Sequence, residues 1–428
     1  GDNTAFSEVA LPNIELTLKN AQTVFNKWSI LPDNERTTDK FVEMMDVDYF
    51  KLLDTITIAR SRKHIEKYYN LEEIGKFPTR LAPKNIYPEI DTLNEFPPIE
   101  NVNRIIKKLT LSVYSPLNYV LPEKRREYHK RYDMQVGEGR SIFTQIDRER
   151  SLVDLMRVGL LKRLESSIHA FILTVENILD KINNAIETID AKQFDYDPEL
   201  NIGDIDFDDN QLDDLLFGNN VKVLLQDLDL IKWRQDLCDD RDKLNSVLQE
   251  AKKITPERDA KLHELRELIE NKIDNPINPS NSKVIIFTAF ADTAKYLYQN
   301  LAPIFKQHNL YTALVTGAGN NISTLPIPKE LKKQISLNDL NSLLTQFSPR
   351  SKDRDKVFPE MHEEIDILIA TDCISEGQNL QDCDYLINYD IHWNPVRIIQ
   401  RFGRIDRLGS TNEYIQLVNF WPMKDLDE

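Results

Sequence analysis

Cysteine is scarce in this 428-residue sequence, with Cys238, Cys373 and Cys383 making up the whole complement. The number is odd and no two stand in a C-x-x-C pair, which argues against a disulfide scaffold and a zinc ribbon. Glycine is scarce too, at 12 residues. The only Gly-Lys dipeptide is Gly75-Lys76. Phe77 follows it, and no upstream glycine sits at the spacing that a phosphate-cradling G-x-x-x-x-G-K-[ST] loop requires. Asp-Glu occurs only as Asp427-Glu428. Long apolar runs are missing: stretches such as Val284–Phe287 fall far short of the roughly 18 residues of a membrane span. The start of the chain has no basic region followed by an apolar run, so no secretory leader is visible and a cytoplasmic, membrane-free protein is expected. A basic surplus is also lacking. Fifty-four Lys and Arg stand against 70 Asp and Glu, a net charge of −16. That excludes a uniformly basic nucleic-acid coat but not a local basic channel. What is present, 41% hydrophobic residues, suffices for sizeable cores. The length predicts two or three domains at roughly 150 residues each.

Residues 1–75 place apolar side chains at helical spacing, notably Phe41–Met45 and Ile56–Ala59. Pro78, Pro83, Pro88, Pro97 and Pro98 break that pattern over 76–100, where Asn85–Ile90 fits an edge strand at most. Leu152, Leu155, Met156, Leu160, Leu161 and Leu164 then form one stripe of a long helix, continued through Ile168, Phe171, Ile172, Val175, Ile178 and Leu179. Segment 190–243 carries sixteen acidic against six basic residues. It reads as a solvated insertion, or else as a surface that repels or mimics nucleic acid. Thr255-Pro256-Glu257 has the composition of a helix start, with Leu262, Leu265, Leu268 and Ile269 as its buried face. Asn275–Ser282 reads as a linker. The domains are therefore expected at 1–75, 76–280 and 281–428, the first two mainly helical.

Beyond the linker the pattern changes. Lys283–Thr288, Tyr311–Thr316, Ile365–Ala370, Tyr385–Tyr389 and Tyr414–Phe420 read as strands. Ala291–Phe305, Leu340–Phe347 and Val396–Leu408 read as helices between them. Apolar strands without alternation are buried on both faces, so the C-terminal half is expected to be α/β: a parallel sheet with helices on both faces. Function in such sheets gathers at the carboxyl ends of the strands.

Three constellations fall there. Arg401, Arg404 and Arg407 recur every third residue, with Arg397 a turn earlier, and form one ridge if helical. Four guanidiniums on one face repel one another. They are expected to meet an anionic partner rather than to pack, and Asp406 offsets only part of the charge. The second constellation, Thr371–Leu380, leaves a strand and surrounds Gly377 with small polar residues. It suits a loop that approaches phosphate or ribose, or an ordinary strand–helix turn. In the third, Asp390-Ile391-His392-Trp393-Asn394-Pro395, Asn394 caps a helix that Pro395 begins. Trp393 is either a core plug or an interface residue. His362-Glu363-Glu364 lacks the second histidine of H-E-x-x-H and reads as an exposed acidic turn.

On these residues, and on Asp259–Leu262 with Lys283–Phe290, the region from about 255 to 420 resembles the second RecA-like motor lobe of superfamily-two helicases, in particular Swi/Snf-type DNA translocases. Thr371–Leu380 resembles motif V of that group. Asp390, Trp393, Asn394 and Pro395, with Gln400, Gly403, Arg404, Arg407 and Gly409, resemble its D-x-x-WNP stretch and motif VI. Thr57–Ile65 and Leu160–Ser167 are similar to segments of bacterial members, including RNA-polymerase-associated recycling ATPases and defence-linked helicases.

The resemblance implies ATP, with Mg²⁺, in a cleft between two lobes. The phosphate-cradling lysine and the Mg²⁺ carboxylates belong to a first lobe that this sequence does not carry, and no metal ligand is expected within it. Arg404 and Arg407 are then the expected arginine fingers for charge developing on the γ-phosphoryl group. Gln400, Gly377, Glu376 and Asp406 are the expected nucleotide-side residues. Thr288, Thr316, Gly317, Thr371, Asp372 and Trp393 are the expected contacts to the backbone of double-stranded DNA. The fragment alone is expected to hydrolyse ATP negligibly. Two other readings stay open: a regulatory or protein-interaction module whose helical half binds a partner, and an RNA helicase lobe.

Overall fold

The computed structural model describes residues 14–50 except 30, 33, 34 and 47; residue 52; 75–191 except 133, 137–140 and 144; 223–374 except 318, 320, 332 and 333; and 377–422 except 393. The chain divides into two units, Gly1–Gly75 and Lys76–Glu428.

In the first unit, the helical spacing yields Ile14–Ser29 (α1) and Thr38–Met44 (α2). Thr37 begins α2, its hydroxyl accepting from the Lys40 amide at 3.2 Å. Trp28 and Phe41 meet edge-on, 5.2 Å between ring centroids. The Thr57–Ile65 segment lies outside the described residues.

The second unit is built on an eight-stranded sheet. In chain order its strands are Thr79–Arg80 (β1), Lys84–Ile86 (β2), Val284–Phe287 (β5), Tyr311–Val315 (β6), Ile322–Ser323 (β7), Ile365–Ala370 (β8), Tyr385–Asn388 (β9) and Tyr414–Phe420 (β10). Met134–Val136 (β3) and Ser141–Phe143 (β4) form a separate hairpin. The order is β1-β10-β9-β5-β8-β6-β7, with β2 also on β10, and every pairing is parallel except β6 with β7. The absence of alternation has its expected consequence, since every residue of β5, β8 and β9 is buried. Val284 and Ile286 face Ala260–Asp274 (α8) and Ala291–Gln307 (α9), joining Leu265 and Leu297 in one core. Ile285 and Phe287 face Leu340–Phe347 (α10), joining Leu343 and Phe347 in another. The C-terminal half is thus a mostly parallel α/β layer structure, with helices on both faces.

The remaining helices are Ile99–Lys107 (α3), Arg125–Tyr132 (α4), Gln145–Ser166 (α5), Ile168–Asp190 (α6) and Leu230–Ala251 (α7), with short Arg354–Val357 (α11) and Pro395–Phe402 (α12) near the sheet. A third core joins Leu160, Phe171, Ile178, Trp233 and Leu237 from α5, α6 and α7.

Several expectations are corrected. The single long helix is two: Ser167 turns to φ −157° and ψ 146°, and its hydroxyl caps α6 at the Ala170 amide. The helix expected from Thr255 begins at Ala260, capped by the Asp259 carboxylate on the Leu262 amide at 2.9 Å. The linker Asn275–Ser282 is pinned to the sheet by Asn278, which donates to Asp384 and to the Tyr414 carbonyl, both at 2.8 Å.

Most of the acidic stretch, 192–222, lies outside the described residues, but its last part is no solvated insertion. Trp233 is buried and donates to the Ser112 carbonyl at 3.0 Å. Asp240, also buried, accepts from the Thr110 amide and hydroxyl, both at 2.7 Å, and from the Ser112 amide at 3.1 Å. A buried carboxylate is tolerated where such donors replace water. The edge strand expected within Asn85–Ile90 is Lys84–Ile86, which overlaps it at Asn85 and Ile86; with β1 it brings a segment ahead of the helices into the sheet.

Candidate functional site

Parallel strands end on the same side, so β5, β6, β8 and β9 deliver Thr288, Thr316, Thr371 and Asp390 to one edge. The inner layer of that edge is a closed polar network. The Asp390 carboxylate accepts from the Thr288 hydroxyl, from the Ala289 amide at 2.8 Å and from the Ser166 hydroxyl at 2.7 Å. The Thr293 hydroxyl lies 2.9 Å from those of both Ser166 and Ser167. The break between α5 and α6 is therefore plugged into the sheet edge. Lys261 caps the end of α5, donating to the Glu165 and Ser166 carbonyls at 2.6 and 3.0 Å. Its ammonium sits 4.3 Å from the centroid of the Tyr389 ring, and burial brings its pKa down to about 8.

Arg401 corrects the expectation that the ridge cannot pack. It is fully buried, with its fork on Asp372 at 2.6 and 2.7 Å, a further bond to Asn388 at 3.0 Å, and its guanidinium 5.2 Å from the Phe287 ring centroid. A planar cation can be buried when its donors are matched in this way. The ridge is also broken. The helix expected to reach Leu408 stops at Phe402, and Arg404 and Arg407 lie on the turns beyond.

Those two side chains fold back over the loop that follows β8. Arg404 donates to the carbonyls of Gln400 and Gln378, both at 3.1 Å, and Arg407 to those of Gly403 at 3.2 Å and Gln378 at 2.9 Å. Both guanidiniums thus share the Gln378 carbonyl. Lys352 reaches the side-chain oxygen of the same residue at 3.0 Å. Just before it, Gly377 has φ +75°, a conformation L side chains avoid, with open space where a Cβ would stand. Conformation, rather than room, requires the glycine.

The other expected residues divide. Thr288 is fully buried with its hydroxyl on Asp390, so it does not present a surface to a nucleic-acid backbone. Thr316 is buried as well, its hydroxyl oxygen lacking a hydrogen-bond partner. Gly317 and Thr371 stand beside Cys373: a Cβ at Gly317 would lie 3.8 Å from the cysteine Cβ, and the Thr371 hydroxyl donates to its sulfur at 3.4 Å. Asp372 belongs to Arg401. Asp406 accepts from Arg80 of β1 at 2.7 Å. Gln400 stands on α12 and, through its carbonyl, receives Arg404. Glu376 and Trp393 lie outside the described residues.

Lys352, Lys261, Asp390 as a hub, and Arg80 were not singled out by sequence reasoning. The one visible signal was the Ser166-Ser167 pair interrupting a leucine stripe. Among the described residues no three His, Cys, Asp or Glu side chains gather to hold a metal ion, and no helix is long and apolar enough to cross a membrane.

Residues 260–409, which contain α8, the inner strands and both arginines, match the helicase conserved C-terminal domain. The ATP-dependent helicase YqhH of Bacillus subtilis (strain 168) is 31% identical over 184 residues, 42% of this chain and 25% of that protein. The ATP-dependent RNA helicase DBP8 of Gibberella zeae is 27% identical over 162 residues, 34% of this chain and 29% of that one. The chain thus spans about a quarter of the length of these curated relatives. Among solved structures, the C-terminal part of the Fun30 ATPase domain aligns over 81% of this chain and 86% of its own. Its 15% identity and TM-score of 0.31 are too slight to add to the sheet topology itself.

Proposed function

We propose that this chain supplies the second motor lobe of a larger ATP-dependent translocase acting on double-stranded DNA. Arg404 and Arg407 are its arginine fingers. The observation that carries the reading is the convergence of both guanidiniums on the Gln378 carbonyl, at the carboxyl edge of the sheet and inside the helicase-matched segment. A neutral carbonyl holds a guanidinium less strongly than an oxyanion does, so Arg407, held on two carbonyls, is pre-positioned and still exchangeable. ATP, with Mg²⁺ held by carboxylates of a first lobe, supplies the γ-phosphoryl group when bound. The arginines of this chain meet the charge that develops on it. Gln400 and Gly377 flank them. The loop after β8, with Thr371 and Gly317, meets the nucleic-acid backbone, where contacts are independent of sequence.

In the full-length protein, Arg404→Ala and Arg407→Ala are each expected to lower kcat by about a thousandfold or more, with DNA affinity nearly unchanged. Lysine at either position is expected to rescue only in part, because it lacks the planar fork. Loss of DNA binding with full turnover at saturating duplex would move both arginines to the nucleic acid instead. Because relatives include both unspecified and RNA helicases by name, the same assay is run with RNA duplex. Stimulation by RNA alone would replace DNA in the proposal.

A further inference from the structure

Lys352 has no role in the reading so far, yet it shares a residue with both arginines. It lies on the turn between α10 and α11, and that turn is fixed. The Asp382 carboxylate, itself nearly buried, accepts from the Arg350 amide at 2.7 Å and the Ser351 amide at 3.0 Å, and Asp353 follows with a left-handed φ of 50°. Among the described residues, the half-buried ammonium reaches Gln378 from this turn. Among the described residues, neither Lys352 nor Arg407 forms an ion pair. The charge that bears on Lys352 is Arg407, a like charge; after burial it is the second cause holding the lysine below its ordinary pKa. Cations brought together around a neutral amide on fixed backbone are unfavourable unless an anion completes the group. Packing alone would not select a lysine there.

We infer that Lys352, Arg404 and Arg407 form one cradle for phosphate oxyanions, with Lys352 a third cationic ligand for the polyphosphate of a nucleotide bound at this edge. The inference rests on the proposed role of the arginines and extends it to a residue on a different element. It also assigns Gln378 a part: its carbonyl and its side-chain oxygen hold all three cations until phosphate takes their donors.

The test uses the 428-residue chain and inorganic tripolyphosphate, titrated calorimetrically at fixed salt, with a short DNA duplex as the second probe. Lys352→Gln is expected to weaken tripolyphosphate binding about tenfold or more, the loss typical of a charge-assisted bond, and Lys352→Arg to recover most of it. In the unaltered chain, tripolyphosphate is expected to protect Lys352, but not exposed Lys130, from amine acylation read by mass spectrometry. Unchanged affinity in Lys352→Gln alongside weakened Arg407→Ala would remove Lys352 from the cradle and leave the arginine reading standing. Unchanged affinity in both would overturn the two readings together. Weakened duplex binding with tripolyphosphate affinity intact would make Lys352 a nucleic-acid contact, and no binding by the unaltered chain would overturn the cradle, leaving the arginines to the turnover assay.

Discussion

Arg401 and the pair Arg404 and Arg407 come from the same short passage of chain, but what holds them differs. Arg401 is buried and gripped by a carboxylate, an amide oxygen and an aromatic ring. Arg404 and Arg407 rest on carbonyls at the end of α12 and in the neighbouring loop. A carboxylate fixes a buried cation, because separating the two would strand the cation's charge in a poor solvent. A carbonyl leaves the cation ready to exchange for a stronger acceptor. The first arginine therefore builds the edge, and the proposed acting role falls to the other two.

The contrast would be broken most sharply by turnover. If Arg401→Ala and Arg404→Ala lowered kcat equally at equal stability, the division between structural and acting arginines would fall. The expected pattern is a rate loss of about a thousandfold or more for Arg404 and Arg407, with thermal midpoints near the parent value. Arg401→Ala is instead expected to destabilise the chain by about 3 kcal/mol or more, because Asp372 and Asn388 lose their partner. Denaturant unfolding measures this, and Arg401→Lys should recover little of it.

Ser167→Ala removes the cap of α6 and a contact to Thr293, and is expected to destabilise by about 1 kcal/mol. A value near zero would mean that the α5–α6 break is not held by its hydroxyl. A further effect is expected from acid. Arg258, donating to Asp91 at 2.6 Å, holds its carboxyl down at about 2. Since the folded value is lowered, the pair contributes fully above the ordinary value near 3.8 and is lost as pH falls through 2. Asp91→Asn should flatten the stability profile between pH 4 and 2 and leave it unchanged in shape near neutrality.

Strands such as Ile365–Ala370 and Tyr414–Phe420 were legible in the sequence to the residue, because strands largely buried on both faces are dominated by apolar residues, interrupted here by Asp366 in the first and by Gln416 and Asn419 in the second. The arginines were legible as chemistry but not as separate roles. Spacing by three looks the same whether the helix continues or stops, and nothing local to Arg401 announces Asp372, which lies on another loop. The same limit hid β1: two residues among prolines carry no strand signal, and only pairing with β10 makes them one. The acidic count misled at its C-terminal end because it averaged over Trp233 and Leu237, whose apolar faces decide the packing.

The edge formed by β1 and β2 has a consequence for how the protein is made. Gln416 on β10 donates to the Ala82 carbonyl across 334 residues of sequence. Within this sheet, two strands made early are thus completed by one made much later. At the usual rates of synthesis they wait tens of seconds with their hydrogen-bonding groups open, and an open strand edge is a template for the wrong partner. The helical segment emerges during that interval, and its break at Ser166 closes onto the sheet only after Asp390 has been made. Assembly of this sheet is set by a long-range closure, so truncations that stop short of β10 should leave those early strands unpaired and prone to aggregate.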